Sequence, residues 1–259
     1  MSGIIREEII GDCRLIQGDC LEVMPMLGEV GHVITDPPFE QLMHDLHSTA
    51  KFRRTDGNAS RKHFSFAGID NIRVPLLKLV ESHCAGWLLA FCTAEGVWKW
   101  REAVTVETKM KFKTTCAWIK PDCAPKFNAQ GPAVGYEPFI TVWAGSGCAK
   151  WNAGGKRGVY THNVNPPDRH GGHPTEKPWR LFVELLQDFT KPAETILDPF
   201  MGSGTALVAC AKLGRKGIGI ELDPDYFDIS CKRVEEAYRQ PDLFVAPPAP
   251  KPEQGGLDL

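Results

Sequence analysis

The chain has 259 residues, 42% of them apolar and 24% charged, with a net charge of −2. That length can bury a sizeable core in one large α/β domain, and the balanced charge excludes a uniformly basic nucleic-acid binder, so any nucleic-acid surface must be local. No apolar run reaches the roughly 18 residues of a membrane span; Arg6, Glu7 and Glu8 interrupt any apolar signal core at the start; and nine cysteines without a C-x-x-C pair argue against disulfides and zinc, so a cytoplasmic protein without a metal is expected.

Seven short apolar runs read as strands: 13–17, 32–35, 86–92, 114–119, 138–143, 195–198 and 217–221. Amphipathic stretches at 74–82, 94–108, 179–189, 205–213 and 224–239 read as helices between them. Such alternation predicts a Rossmann-like α/β fold, a mostly parallel seven-stranded sheet with helices on both faces. Segments 114–119 and 138–143 have no helix between them and read as an antiparallel hairpin at one edge. Segments 40–71 and 145–172 lack periodicity and read as inserts, and the Pro-rich 241–259 as a disordered tail after a single domain over 1–240.

Two stretches carry chemistry. In Ile196-Leu197-Asp198-Pro199-Phe200-Met201-Gly202-Ser203-Gly204-Thr205 a strand enters a glycine turn and a helix begins. Gly202 and Gly204 allow backbone to approach a ligand, at the strand end where open α/β sheets bind. Alone, such a turn could serve a dinucleotide, a phosphate or only packing; the missing P-loop lysine excludes one of these motifs. Glu221, ending the next strand, is placed to accept bonds from two ribose hydroxyls, which points to an adenosine moiety. In Val33-Ile34-Thr35-Asp36-Pro37-Pro38-Phe39 a strand ends in an acid, two prolines and an aromatic ring. The prolines stiffen the turn. The Asp36 carboxylate and Pro37 carbonyl then form two fixed acceptors, suited to an exocyclic amino group, and Phe39 offers a stacking face. Taken alone, the tetrapeptide reads equally well as a rigid turn capped by Asp36.

Together, Asp36-Pro37-Pro38-Phe39, His173-Pro174-Thr175-Glu176-Lys177-Pro178 and the 198–205 stretch resemble motifs IV, X and I of the DNA amino-methyltransferases, which methylate adenine N6 or cytosine N4. Gln17-Gly18-Asp19-Cys20-Leu21-Glu22-Val23 looks like motif III and Gly219-Ile220-Glu221-Leu222 like motif II. The catalytic motif precedes the cofactor motif, as in the permuted β group, and the likeness spans roughly 13–238. It implies S-adenosylmethionine as cofactor. Asp19 would contact its adenine, Phe200, Gly202, Ser203 and Gly204 its methionine end, and Glu221 its ribose, with Cys20, Asp198, Thr205 and Leu222 as further contacts. Thr175 and Lys177 would close the pocket. Asp36, Pro37, Pro38 and Phe39 would act on a base flipped out of double-stranded DNA. No cysteine follows a proline, which argues against a cytosine-C5 enzyme. Asp rather than Ser at the first catalytic position favours adenine N6, with cytosine N4 as the alternative. A glutamine or RNA methyltransferase would carry the unpermuted order, and a cofactor-sensing DNA binder would not need Asp36 intact.

DNA contacts are expected from the inserts: Lys51, Arg53, Arg54, Arg61 and Lys62 in the first, and Lys156, Arg157 and Arg169, near Trp151 and Tyr160, in the second. A homodimer reading both halves of a site is expected from the resemblance. Gln240-Pro241-Asp242-Leu243-Phe244 looks like peptides that dock on the bacterial sliding clamp; the alternative is that Leu243 and Phe244 fold back on the last helix.

Overall fold

The computed structural model describes residues 3–38, 68–126, 131–164 and 177–239. The strands are β1 (Ile4–Ile10), β2 (Cys13–Gly18), β3 (His32–Thr35), β4 (Trp87–Phe91), β5 (Lys111–Ile119), β6 (Tyr136–Trp143), β7 (Val159–Thr161), β8 (Thr195–Asp198) and β9 (Lys216–Glu221). The helices are α1 (Cys20–Val23), α2 (Ile69–His83), α3 (Gly96–Glu107), α4 (Trp179–Phe189), α5 (Thr205–Leu213) and α6 (Pro224–Arg239). All nine strands lie in one sheet in the order β1-β2-β9-β8-β3-β4-β6-β5-β7.

Five central strands, β2, β9, β8, β3 and β4, run parallel. Parallel strands covered on both faces read as continuous apolar runs; every residue of His32–Thr35 and of Trp87–Phe91 is buried. The pleat sorts side chains between two cores. Trp87, Leu89 and Phe91 point into one, with Ile34, Ile196 and residues of α4, α5 and α6. Leu88 and Ala90 point into the other, with Val33, Leu197 and residues of α2 and α3. Helix α4 buries Trp179, Phe182, Leu185, Leu186 and Phe189 along one stripe. Phe182 stacks on Phe91 with ring centroids 5.8 Å apart, and Phe189 meets Trp87 edge-on at 5.2 Å.

The structure departs from the sequence reading at the margins. The sheet has nine strands rather than seven. Strand β1, Ile-Ile-Arg-Glu-Glu-Ile-Ile, pairs antiparallel with β2 at the edge, its charges tied outward by Arg6–Asp228 and Arg14–Glu7 pairs. Its charged residues Arg6, Glu7 and Glu8 break the apolar run that marks the inner strands. Strand β7 lies inside the 145–172 insert and pairs parallel with β5, so the β5–β6 hairpin is one strand in from the edge. Helix α2 begins at Ile69, inside the segment read as loop.

Chain direction diverges between β8 and β3. Strand β8 leads through α5 to β9 on one side, and β3 leads through α2 to β4 on the other. Open α/β sheets bind ligands in the crevice beyond such a switch point. Asp19, Glu221, Asp198 and Asp36 all stand at or just past the carboxyl ends of β2, β9, β8 and β3.

Phe182, 2% exposed, is one of two aromatic links from α4 to β4. Phe182→Ala is expected to lower stability by about 3–5 kcal/mol, measured as a fall in the urea midpoint with an unchanged m-value.

Candidate active site

The turn after β8 is built by backbone conformation. Gly202 and Gly204 have φ of 53° and 82°, left-handed values that disfavour other residues. A Cβ on Gly204 would lie 2.9 Å from Ser230 Cβ on α6, whereas one on Gly202 would meet nothing within 4 Å. Gly202 therefore faces open space, a cradle for a ligand, while Gly204 packs the turn against the protein. The buried Arg233 of α6 holds the turn from beneath, its Nη1 donating to the Ser203 carbonyl and hydroxyl, both at 2.6 Å. Glu221 locks the mouth: its Oε2 accepts from the Gly202 N–H at 2.7 Å and its Oε1 from the Asp223 N–H at 2.8 Å. Burial raises the Glu221 carboxyl above its usual range, against the opposing pull of those N–H groups. Each carboxylate oxygen retains acceptor capacity.

Across the floor, Asp198 Oδ1 accepts the Thr35 hydroxyl at 2.7 Å and the Phe200 N–H at 3.1 Å. This ties β3 to β8 and shapes the start of the turn. Burial, opposed by those donors and reinforced by the negative Asp36 and Glu221, pushes Asp198 up to about 7. Asp19 caps α1, its Oδ1 accepting from the Leu21 N–H at 2.8 Å, and Cys20 beside it is buried, its thiol pushed up to about 12 by burial and by the nearby Asp19. Phe200 is half-buried against the second core, Thr205 is buried at the start of α5, and Leu222 is 48% exposed.

Asp36 follows β3, with Pro37 buried behind it. Its Oδ2 accepts from Lys177 Nζ at 2.6 Å. Its Oδ1 is sealed from solvent yet has no hydrogen-bond partner among the described residues, although 29% of the side chain is exposed. Burial raises the Asp36 carboxyl above its ordinary value, Lys177 pulls it back and Glu137 pushes it up again. The Lys177 ammonium sits between Asp36 and Glu137, at 2.7 Å from Glu137 Oε1 and 5.1 Å above the Phe91 ring. Those two carboxylates outweigh burial and hold Lys177 protonated well above the usual lysine range.

The second insert docks through charge. Lys156 pairs with Glu184 at 2.6 Å and with Asp188, both on α4; Tyr160 OH donates to Asp188 at 2.9 Å and His162 pairs with Glu184 at 2.6 Å. Lys156 is thus spoken for by two carboxylates, while Arg157 is exposed. Phe39, Lys51, Arg53, Arg54, Arg61, Lys62, Arg169, Thr175 and Gln240–Phe244 lie outside the described residues.

The sequence alone did not single out Thr35, Glu137 or Arg233 for the site, and Lys120 stood out only within a basic stretch. Arg233 carried a signal, a cation among the buried positions Phe227, Ser230 and Val234 of α6. Glu137 carried a weaker one, a carboxylate abutting the apolar run that starts at Pro138.

The family model for N6/N4 methyltransferases, described as DNA methylase, matches residues 30–232. The chain belongs to that DNA methylase family. It is 32% identical over 158 residues to the type II methyltransferase M.Cfr9I of Citrobacter freundii, covering 58% of this chain and 49% of that relative's length. The chain thus spans about half the length of that curated relative. Among solved structures, the fold matches PvuII DNA methyltransferase (cytosine-N4-specific) with a TM-score of 0.71 at 14% identity, covering 91% of this chain and 95% of that one. It also matches the M1.HpyAVI–SAM complex with a TM-score of 0.67 at 21% identity, covering 86% and 98%. At such identities these structures establish the α/β methyltransferase architecture.

Two outcomes follow for this family member. Arg233→Met leaves the Ser203 carbonyl and hydroxyl without their buried donor and is expected to cost about 1–3 kcal/mol, read by urea denaturation. Asp198 holds a proton in the folded state up to about pH 7 that the unfolded chain releases near 3.8. Its contribution to stability therefore falls as pH rises through that window. Asp198→Asn removes the dependence while keeping an acceptor for Thr35, so the variant gains stability relative to wild type between about pH 4 and 7. Melting curves across that range check the sign.

Proposed function

We propose that this chain transfers a methyl group from S-adenosylmethionine to the exocyclic amino group of a base flipped out of double-stranded DNA, and that the base is adenine. The observation that carries the reading is the sealed Oδ1 of Asp36, which has no hydrogen-bond partner among the described residues and stands at the switch point with the Gly202 cradle. A buried acceptor without a donor is costly in a folded protein unless a ligand supplies the donor.

The residues present fit the cofactor. Gly202 faces open space, Glu221 is fixed at the mouth of the turn with acceptor capacity to spare for ribose hydroxyls, and Asp19 and the exposed Leu222, just past the ends of β2 and β9, would stand near an adenine ring. Bound there, S-adenosylmethionine supplies an electrophilic sulfonium methyl group. The protein's task is to make a delocalised amino nitrogen act as a nucleophile. Asp36 Oδ1 and the Pro37 carbonyl accept its two N–H bonds, favour a pyramidal nitrogen and stabilise the positive charge that develops on it. The stiff Pro37-Pro38 turn holds the acceptors in place, so alignment carries much of the rate. Asp36 Oδ1 is also an acceptor for the proton the methylated nitrogen releases.

Adenine is favoured by the aspartate at the first catalytic position, and the fold likeness to a cytosine-N4 enzyme leaves the architecture common to both bases. On this reading the basic inserts meet DNA, with Arg157 the better-placed cation of the second insert since Lys156 is already paired. It extends to a homodimer.

Labelled methyl transfer to unmethylated genomic DNA tests the function. Wild type is expected to yield N6-methyladenine on digestion, and Asp36→Ala to lose about a hundredfold or more of the rate. N4-methylcytosine as the sole product overturns the choice of base; no transfer to any DNA overturns the activity.

A further inference from the structure

Four buried or half-buried charges alternate in sign along one path. Asp36 Oδ2 meets Lys177 Nζ at 2.6 Å, Lys177 meets Glu137 Oε1 at 2.7 Å, and Glu137 Oε2 meets Lys120 Nζ at 2.6 Å. The side chains of Lys177 and Glu137 are only 7% and 11% exposed. Desolvating two ions costs several kcal/mol each, and an ammonium needs only one carboxylate to be neutralised. Lys177 has two, from different parts of the chain. Asp36 therefore owns only a share of the Lys177 charge, and that charge reaches one of its oxygens. The other oxygen, Oδ1, has no hydrogen-bond partner among the described residues.

The division has chemical sense. Without Lys177, a desolvated Asp36 would take up a proton and stop accepting hydrogen bonds from an amino group. With Lys177 to itself, Asp36 would be the weaker acceptor, its negative charge spent on the ammonium. We propose that Glu137, acting through Lys177, is a positioning residue that sets how much negative charge Asp36 presents at Oδ1 to the amino group of the base. Lys120, just after β5, anchors Glu137 from its far side and lies 4.5 Å over the Trp118 ring of that strand. The inference rests on the reading of Asp36 as the amino-group acceptor.

The ionisable groups that act on Asp36 come from three places: Lys177 before α4, Glu137 on β6 and Lys120 after β5; Asp198 on β8 feels the Asp36 charge in turn. Lys177 favours the ionised carboxylate and Glu137 disfavours it. The two substitutions therefore move Asp36 in opposite directions, which a purely structural role would not do.

The experiment measures the acid limb of the methyl-transfer rate against pH, with saturating S-adenosylmethionine and unmethylated genomic DNA, alongside the 13Cγ NMR titration of Asp36 in labelled protein without turnover. Lys177→Met is expected to move the limb and the titration to higher pH by about 1–3 units. Glu137→Gln moves both to lower pH and leaves S-adenosylmethionine affinity at the wild-type value. Lys177→Arg, which keeps the charge, restores the wild-type limb. Should Lys177→Met fail to fold, the isosteric Glu137→Gln decides by the sign of its shift alone. Limbs and titrations that stay put, or that move the same way in both variants, overturn the inference while methyl transfer by the wild type leaves the function standing. Opposite titration shifts in a wild type that transfers no methyl group overturn the function and leave the electrostatic coupling standing.

Discussion

The hydrogen bond from the Thr35 hydroxyl to Asp198 joins the two halves of the site. Strand β3 brings Asp36 and the prolines; strand β8 brings the glycine turn. They are neighbours in the sheet but are registered to each other by only His32–Ile196 and Val33–Leu197. The buried Thr35–Asp198 contact continues that short ladder past its last pair and fixes where one strand end stands relative to the other. A hydroxyl–carboxylate bond in a dry interior is stronger than the same bond in water, and Asp198 also uses its oxygen to position the Phe200 N–H. One carboxyl group thereby sets both the gap between the strands and the first step of the turn.

Around that brace the charges are arranged to oppose one another. Asp36, Asp198 and Glu221 are all raised by burial, and the charges of Asp36 and Glu221 push Asp198 further toward the neutral form. Lys177 is the cation set against them at the Asp36 end; backbone N–H groups serve instead at Glu221. The difference suits the partners each carboxylate would meet. Hydroxyl groups of a sugar need only spare lone pairs, whereas an amino nitrogen gaining positive charge needs a true anion.

The central architecture was legible in the residues because parallel strands between two helical layers leave continuous apolar runs such as Trp87–Phe91, and α4 shows its apolar stripe at helical spacing. The glycine turn was legible because only glycine tolerates the φ values of Gly202 and Gly204. Edge elements were not: β1 satisfies its backbone on one side only and can carry Arg6, Glu7 and Glu8, which erases the periodic signal, and β7 is three residues long. At the site, what stayed hidden was partnership across distance. Nothing local to Lys177 says that its ammonium lies on Phe91 between Asp36 and Glu137, since those contacts depend on how β3, β4 and β6 stand side by side. Lys156 is a second case: nothing in its loop announces that it pairs with Glu184 and Asp188 of α4.

The permuted order has a consequence for how the molecule is made. Thr35 and Asp198 are 163 positions apart. At translation rates of about 5–20 residues per second, roughly ten to thirty seconds separate the emergence of β3 from that of β8. During that interval β4 can cover one side of β3, but the side that will receive β8 presents open N–H and C=O groups and an apolar face. Exposed strand edges of this kind invite pairing with other chains. The nascent half-sheet is therefore the aggregation-sensitive stage of the protein's life, and assembly of the active site coincides with its end.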